Sequence, residues 1–182
     1  MWDYDHIDET RERLLSRRVI DLCGEVDENM AMYVRDSLMM LVANDNPDIT
    51  VVITSNGGEV SVALAIYDML VNYPGKVTGE IKSFCRSAAT LIFQACGRRV
   101  ISPNSKIKIH NILVSGLSLS VMRNPKKIAI VIAGLEADQR TINKIYSLRT
   151  GQSLKKVEKE SNRDIEMTAQ EALEFGLVDE II

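Results

Sequence analysis

Two short segments of this chain carry the residue types needed to make and then stabilise a negative charge. Ser55-Asn56-Gly57-Gly58 follows a β-rich run, and Arg86-Ser87-Ala88-Ala89 opens onto an apolar helical stretch. A glycine pair lets backbone N–H groups approach a ligand closely, and a helix start just beyond it adds positive potential. That combination is how a protein builds an oxyanion hole. Ser87 would stand at the mouth of the second helix, so the two turns side by side would supply a nucleophile and the donors for the charge it creates.

A serine hydroxyl needs a base. The chain has two histidines, and His6 lies in the polar leader, so any imidazole base for an internal nucleophile must be His110. Each of these residues also has a plain structural reading. Ser87 could be a helix cap, His110 a strand-end residue satisfied by backbone, and Gly57-Gly58 a simple turn. Cys85 is the rival nucleophile, with a buried apolar thiol as its alternative. Spacing alone does not choose a carboxylate among 25 acidic residues; Asp164, in Asn162-Arg163-Asp164, could equally pair with Arg163.

The elements that would position these residues can be read from periodicity. Val19–Cys23, Ile49–Thr54, Lys76–Ile81, Val100–Ile101 and Ile107–Ile109 read as strands. Asp27 suits the N-cap of a helix to about Ala43, with Met30, Val34, Leu38 and Leu41 on one face. A second helix is expected over Glu59–Val71 with Val60, Leu64, Tyr67 and Val71 buried, and a third over Ala88–Cys96. Pro125 suits the first position of a long helix towards Arg149, carrying Ile128, Val131, Leu135, Ile142 and Ile145. At ~1.5 Å per residue it spans about 35 Å, longer than one small core needs, and such a helix often packs on a partner. A short helix Leu154–Glu160 follows, then the capping-box pattern Thr168-Ala169-Gln170-Glu171 with Gly176 as the stop. Strands separated by helices argue for a single α/β domain over residues 1–182 with largely parallel strands, residues 1–10 forming a loosely held leader.

Composition limits the function classes. The 182 residues are 46% hydrophobic and 26% charged, with a net charge of −3. This leaves no electrostatic footprint for nucleic acid. The basic cluster Arg11, Arg13, Arg17 and Arg18 is interleaved with Glu12 and reads as a solvated helix face. No apolar run reaches the ~18 residues of a membrane span. Three cysteines without metal-type spacing fit reduced thiols in a cytoplasmic protein, and two histidines are too few for an ordinary zinc site.

Several ordered motifs together resemble the proteolytic subunit of the Clp protease (ClpP), within the crotonase-like spiral folds. Arg13-Leu14-Leu15-Ser16-Arg17-Arg18-Val19-Ile20 is similar to that family's first strand approach, and Thr54-Ser55-Asn56-Gly57-Gly58 to its N-S-P-G-G turn. Ser102-Pro103-Asn104-Ser105 leading to Ile109-His110 resembles its L-P-N-S-x-x-x-I-H segment. Thr150-Gly151-Gln152-Ser153-Leu154, Asn162-Arg163-Asp164 and Glu171–Asp179 resemble its C-terminal run. The resemblance implies an α/β spiral of strand–turn–helix units with a protruding handle over about 111–149. It implies Ser87 as nucleophile, His110 as general base and Asp164 as the group orienting the imidazole. Gly58 and Ala88 would be the oxyanion-hole donors, with no metal and no cofactor. The activity implied is that of a serine endopeptidase cutting unfolded polypeptides inside a homo-oligomer of stacked rings, a tetradecamer, fed by a ring-shaped Clp ATPase. The chain departs from the pattern where G-x-A-A-S-M-G becomes Ser83-Phe84-Cys85-Arg86-Ser87-Ala88-Ala89, in a handle about five residues longer than usual, and in a shortened axial leader before Arg11. A one-residue slip there would put Ala88 at the nucleophile position, so a non-catalytic structural subunit is the alternative. A crotonase-like acyl-CoA enzyme, which needs no serine nucleophile, is the third reading.

Overall fold

Alternation of β-branched strands with apolar helices produces a parallel sheet in which each helix returns the chain to the next strand. The computed structural model describes residues 4–182, with side chains from Glu9 onward. The strands β1 (Val19–Val26), β2 (Ile49–Gly58), β3 (Val77–Arg86), β4 (Arg98–Ile101) and β7 (Glu180–Ile181) lie in the order β1-β2-β3-β4-β7, all parallel. Strand β5 (Lys106–Lys108) also pairs with β3, and antiparallel β6 (Met167–Thr168) extends it. β4 takes the first half of β3, at Thr78–Ile81, and β5 takes its end, at Phe84–Arg86. Two strands thus share one edge of β3 at successive levels, which turns a flat sheet into a rising spiral.

The connecting helices follow their caps. Helix α2 (Glu28–Val42) starts where the Asp27 carboxylate accepts the Met30 N–H at 2.9 Å, and Met30, Val34, Leu38 and Leu41 are buried. Helix α4 (Ala88–Ala95) is buried along its length, and α3 (Val60–Val71) packs against it. After α5 (Leu119–Met122) comes α6 (Pro125–Thr150), begun by Pro125 behind the Asn124 cap and closed by Gly151 at φ 70°. Helix α7 (Leu154–Ser161) precedes α8 (Ala169–Phe175), where Thr168 and Glu171 make the reciprocal capping box and Gly176 stops the helix.

Helix α1 (Tyr4–Ser16) covers residues 4–10 of the expected leader; Met1–Asp3 and the His6 side chain lie outside the described residues. Two expectations are corrected. The buried stripe of α3 is Val62, Ala63, Ile66 and Leu70, while Val71 is 53% exposed. Only Ser61 and Asp68, seven residues apart, mark the helix's outer face, a thin signal among so many apolar residues. Strand β3 runs five residues past its expected end at Ile81, because β5 continues the hydrogen-bonded edge that β4 leaves.

Two ion pairs fasten the sheet's far edge, Arg98 with Glu180 on the surface and Arg99 with Asp179 beneath it. Arg99, 5% exposed, donates from Nη2 to Asp179 Oδ1 at 2.5 Å and from Nη1 to Gln94 Oε1 at 2.5 Å. Burial alone would raise the Asp179 carboxyl, but the Arg99 hydrogen bonds and charge hold it below 3.8. A carboxyl depressed in the folded state stabilises above its ordinary pKa and loses that contribution as pH falls through the folded value. Asp179→Asn is therefore expected to cost about 2 kcal/mol at pH 7, below the full value of a buried pair because this carboxylate is partly solvated. Urea melts at pH 7 and pH 3 check this: the gap between variant and wild type should shrink at pH 3, and an undiminished gap contradicts it.

Candidate active site

The C-terminal ends of parallel strands are where such sheets place their sites, and here three ends meet. The Ser55–Gly58 segment ends β2, Arg86-Ser87 ends β3, and His110 lies two residues beyond β5. Ser87, His110, Gly58 and Ala88 all line one cleft of about 270 Å³, walled by Val60, Leu91, Ile112, Ile142 and Tyr146.

Ser87 occupies a backbone position that non-glycine residues rarely adopt, φ 54° and ψ −133°. Its hydroxyl makes no cap bond to the helix it precedes, so the capping reading does not hold. The turn is fixed instead through its backbone. Ser87 N–H donates to the Lys108 carbonyl at 2.9 Å, and its carbonyl accepts from Thr90 N–H at 2.9 Å and Thr90 Oγ1 at 2.6 Å. Thr90 is in turn bonded to the Tyr146 hydroxyl at 2.5 Å, which ties α6 to the start of α4. Ala88 N–H opens α4, where a helix leaves its first donors without partners in its own ladder.

The glycine pair is dictated by contact as well as by conformation. A Cβ on Gly57, at φ 100°, would lie 2.6 Å from Ser87 Cβ and 3.0 Å from Ala88 N. A Cβ on Gly58 would lie 2.3 Å from the Val26 carbonyl oxygen. Only glycine lets this turn touch the serine turn on one side and the end of β1 on the other. The buried Ser55 hydroxyl accepts the Gly57 N–H at 3.0 Å and holds the turn's shape.

His110 Nδ1 is 2.6 Å from the Asn111 carbonyl oxygen. A carbonyl can only accept, so Nδ1 carries the proton and Nε2 keeps the lone pair a general base needs. Asn111 also donates from Nδ2 to Asn162 Oδ1 at 2.6 Å, binding the histidine loop to the segment that carries Asp164. Asp164, at φ 53°, pairs with Lys108 Nζ at 2.9 Å. The Lys108 hydrogen bond first, with Lys108 and His110 charges behind it, holds the carboxyl below its usual range. The Arg163 alternative does not occur, since Arg163 bonds Glu160 at 2.8 Å. Thus Ser87, His110, Gly58 and Ala88 come together, and Asp164 stands nearby with its carboxylate engaged by Lys108. Cys85 is fully buried, and burial pushes its thiol well above the ordinary range, which removes it as a nucleophile.

Sequence reasoning missed Asn111 and Lys108. Asn111 acts through its backbone carbonyl, which no residue type signals. Lys108 sits two residues before His110, a period-2 spacing at the end of β5 that could have been noticed.

The chain belongs to the Clp protease family, whose family model, described as Clp protease, matches residues 3–182. The α/β spiral is the fold of that family, and the chain is in general class a ClpP-like serine peptidase. Proteins of the family are typically oligomeric and work with Clp ATPases. No helix among the described residues is long and apolar enough to cross a membrane.

Gly57→Ala is expected to lower kcat/KM for a peptide by about 100-fold or more, the size of effect seen when an oxyanion donor is displaced. Left-handed strain and overpacking should also cost about 2 kcal/mol or more. Peptide hydrolysis and a thermal melt on one preparation test both, and unchanged hydrolysis would mean that the two turns need not touch.

Proposed function

We propose that the chain is a serine endopeptidase subunit in which Ser87 is the nucleophile and His110 its base. The observation that carries this reading is the single cleft holding a strained, uncapped Ser87, the internal histidine, and the Gly58 and Ala88 amides. Ser87 Oγ attacks a peptide carbonyl while His110 Nε2 takes its proton, and the carbonyl oxygen's charge falls to the Gly58 and Ala88 N–H groups. The imidazolium returns that proton to the departing amine, leaving an acyl-enzyme. Water, deprotonated by His110, attacks the ester, and collapse of the second tetrahedral intermediate releases the acid and restores the serine. The Asn111 carbonyl supports the tautomer, and Asp164 adds negative charge near the imidazolium. No metal or cofactor enters this chemistry.

Substrates would be unfolded polypeptides, enclosed in a homo-oligomer of stacked rings fed by a ring-shaped Clp ATPase. Helix α6 supports the assembly: only Ile142, Asn143 and Tyr146 are buried, while Ile130 is 73% and Ile132 48% exposed. One observation favours a second reading, a non-catalytic structural subunit: Lys108 holds the carboxylate expected to orient His110.

A fluorophosphonate probe read by intact mass separates the two readings: one adduct, absent in Ser87→Ala, supports the peptidase, and no adduct supports the structural subunit. Ser87→Ala and His110→Gln should each lower kcat by about 10⁶-fold, since such residues act as a unit, while Cys85→Ala should retain most activity. Asp164→Asn should cost far less than the ~10⁴-fold seen where the acid alone fixes the tautomer, because Asn111 already does so. A loss as large as that of His110→Gln would make Asp164 the orienting group.

For assembly, light scattering should give a mass many times 20.4 kDa. Ile130→Asp should reduce that mass. A fully active monomer would overturn the enclosed chamber.

A further inference from the structure

We propose that Arg86 is a positioning residue, a clamp that sets the oxyanion turn against the segment bearing Asp164. This rests on the peptidase reading of the Ser87 site. Arg86 ends β3 one residue before Ser87, so its side chain leaves from the backbone that must be held most accurately. Its Nη1 donates to Asn56 Oδ1 at 2.5 Å, and its Nε donates to a Glu166 carboxylate oxygen. Its guanidinium carbon lies 4.3 Å from the centre of the Phe84 ring, on the same strand.

The three partners belong to three different parts of the site. Asn56 is in the turn that presents Gly58, Phe84 is on the nucleophile strand, and Glu166 lies two residues after Asp164. Backbone hydrogen bonds do not join the first to the last, since β6 pairs only with β5 and β2 lies beyond β3. The Arg86 fork spans that gap directly. A planar guanidinium can serve two acceptors at fixed angles while stacked on a ring, whereas an ammonium is a point charge without that geometry. As a partly exposed ion pair its worth to global stability is small. Its consequence is therefore local. The turn beyond Asn56 is pressed against Ser87 through Gly57, so a shift there moves an oxyanion donor relative to the nucleophile.

The test uses the full-length protein with Arg86→Met, which keeps bulk but loses the fork, Arg86→Lys, which keeps charge, and Glu166→Gln. Amide hydrogen exchange is followed in peptides covering 54–60 and 162–168, alongside kcat and KM for a fluorogenic peptide. Arg86→Met should speed exchange in both segments by about tenfold, as local opening becomes easier. It should lower kcat by about 10- to 100-fold with KM nearly unchanged, the signature of displaced groups and not of lost binding. Arg86→Lys should not rescue either readout, and Glu166→Gln should loosen 162–168 first. Unchanged exchange in both segments after Arg86→Met overturns the clamp, whether or not the chain is active. Faster exchange with unchanged kcat, or full rescue by Arg86→Lys, overturns its positioning role. Ser87→Ala in the same assay isolates the underlying reading: hydrolysis that survives it removes the peptidase assignment, and exchange still decides the clamp.

Discussion

The contact on which the site depends is the one between Gly57 and Ser87. Two strand ends, β2 and β3, are brought so close that a single methyl group on Gly57 would lie 2.6 Å from Ser87 Cβ. That approach is possible only because the strands pair in parallel with an irregularity near their ends, where Ser55 faces Cys85. It places the N–H groups beyond each turn on one cleft. The cost is a serine held at positive φ and a glycine pair that cannot be replaced. Strain of about 1–3 kcal/mol at such a residue persists only where the surroundings over-determine it. Here they do: the Lys108 carbonyl, Thr90 and the packed Gly57 each fix one side of the turn.

Much of this was legible because it is written in residue types that have few other uses. Gly57-Gly58 after a buried strand, a serine before a small-residue helix, and one internal histidine pick out the cleft without coordinates. Helix limits marked by caps, Asp27, Pro125 and Thr168, were read within a residue or two because capping is a local interaction. The inner face of α3 was misread, since only Ser61 and Asp68 mark the outside and apolar residues occupy most of the other positions. Nor were the charge contacts around the site. Asp164 has Lys108 and His110 within electrostatic reach, and which one it bonds is decided by side-chain geometry several elements away in sequence.

Those charges are arranged in two pairs beside the strand ends that lead to Ser87 and His110. Lys108 with Asp164 and Arg86 with Glu166 each join the β3–β5 edge to the same irregular segment between α7 and β6. That segment has no backbone ladder of its own before Met167, so side-chain contacts do what strand pairing does elsewhere. Asn111 adds a third tie through Asn162. The acid expected of a triad is thereby mounted on a loop whose position is set by three side chains, each on a strand end or loop that also carries Ser87 or His110.

Helix α6 belongs to two structures at once. Its last third is part of the site: Ile142 and Tyr146 line the cleft, and Tyr146 reaches through Thr90 to the Ser87 carbonyl. Gln139 accepts the Ile112 N–H at 2.7 Å and donates to Asn143, so the loop after His110 is held by the same stretch. The first two-thirds, with α5 packed beside it, adds no residue to the monomer's buried core. A helix of 26 residues is not needed to position Tyr146, because a few turns would do so. Its extra length carries apolar side chains away from the core into solvent. That is stable in water only as far as its own backbone and the short α5 support it, and burial against another copy would remove the exposed isoleucines.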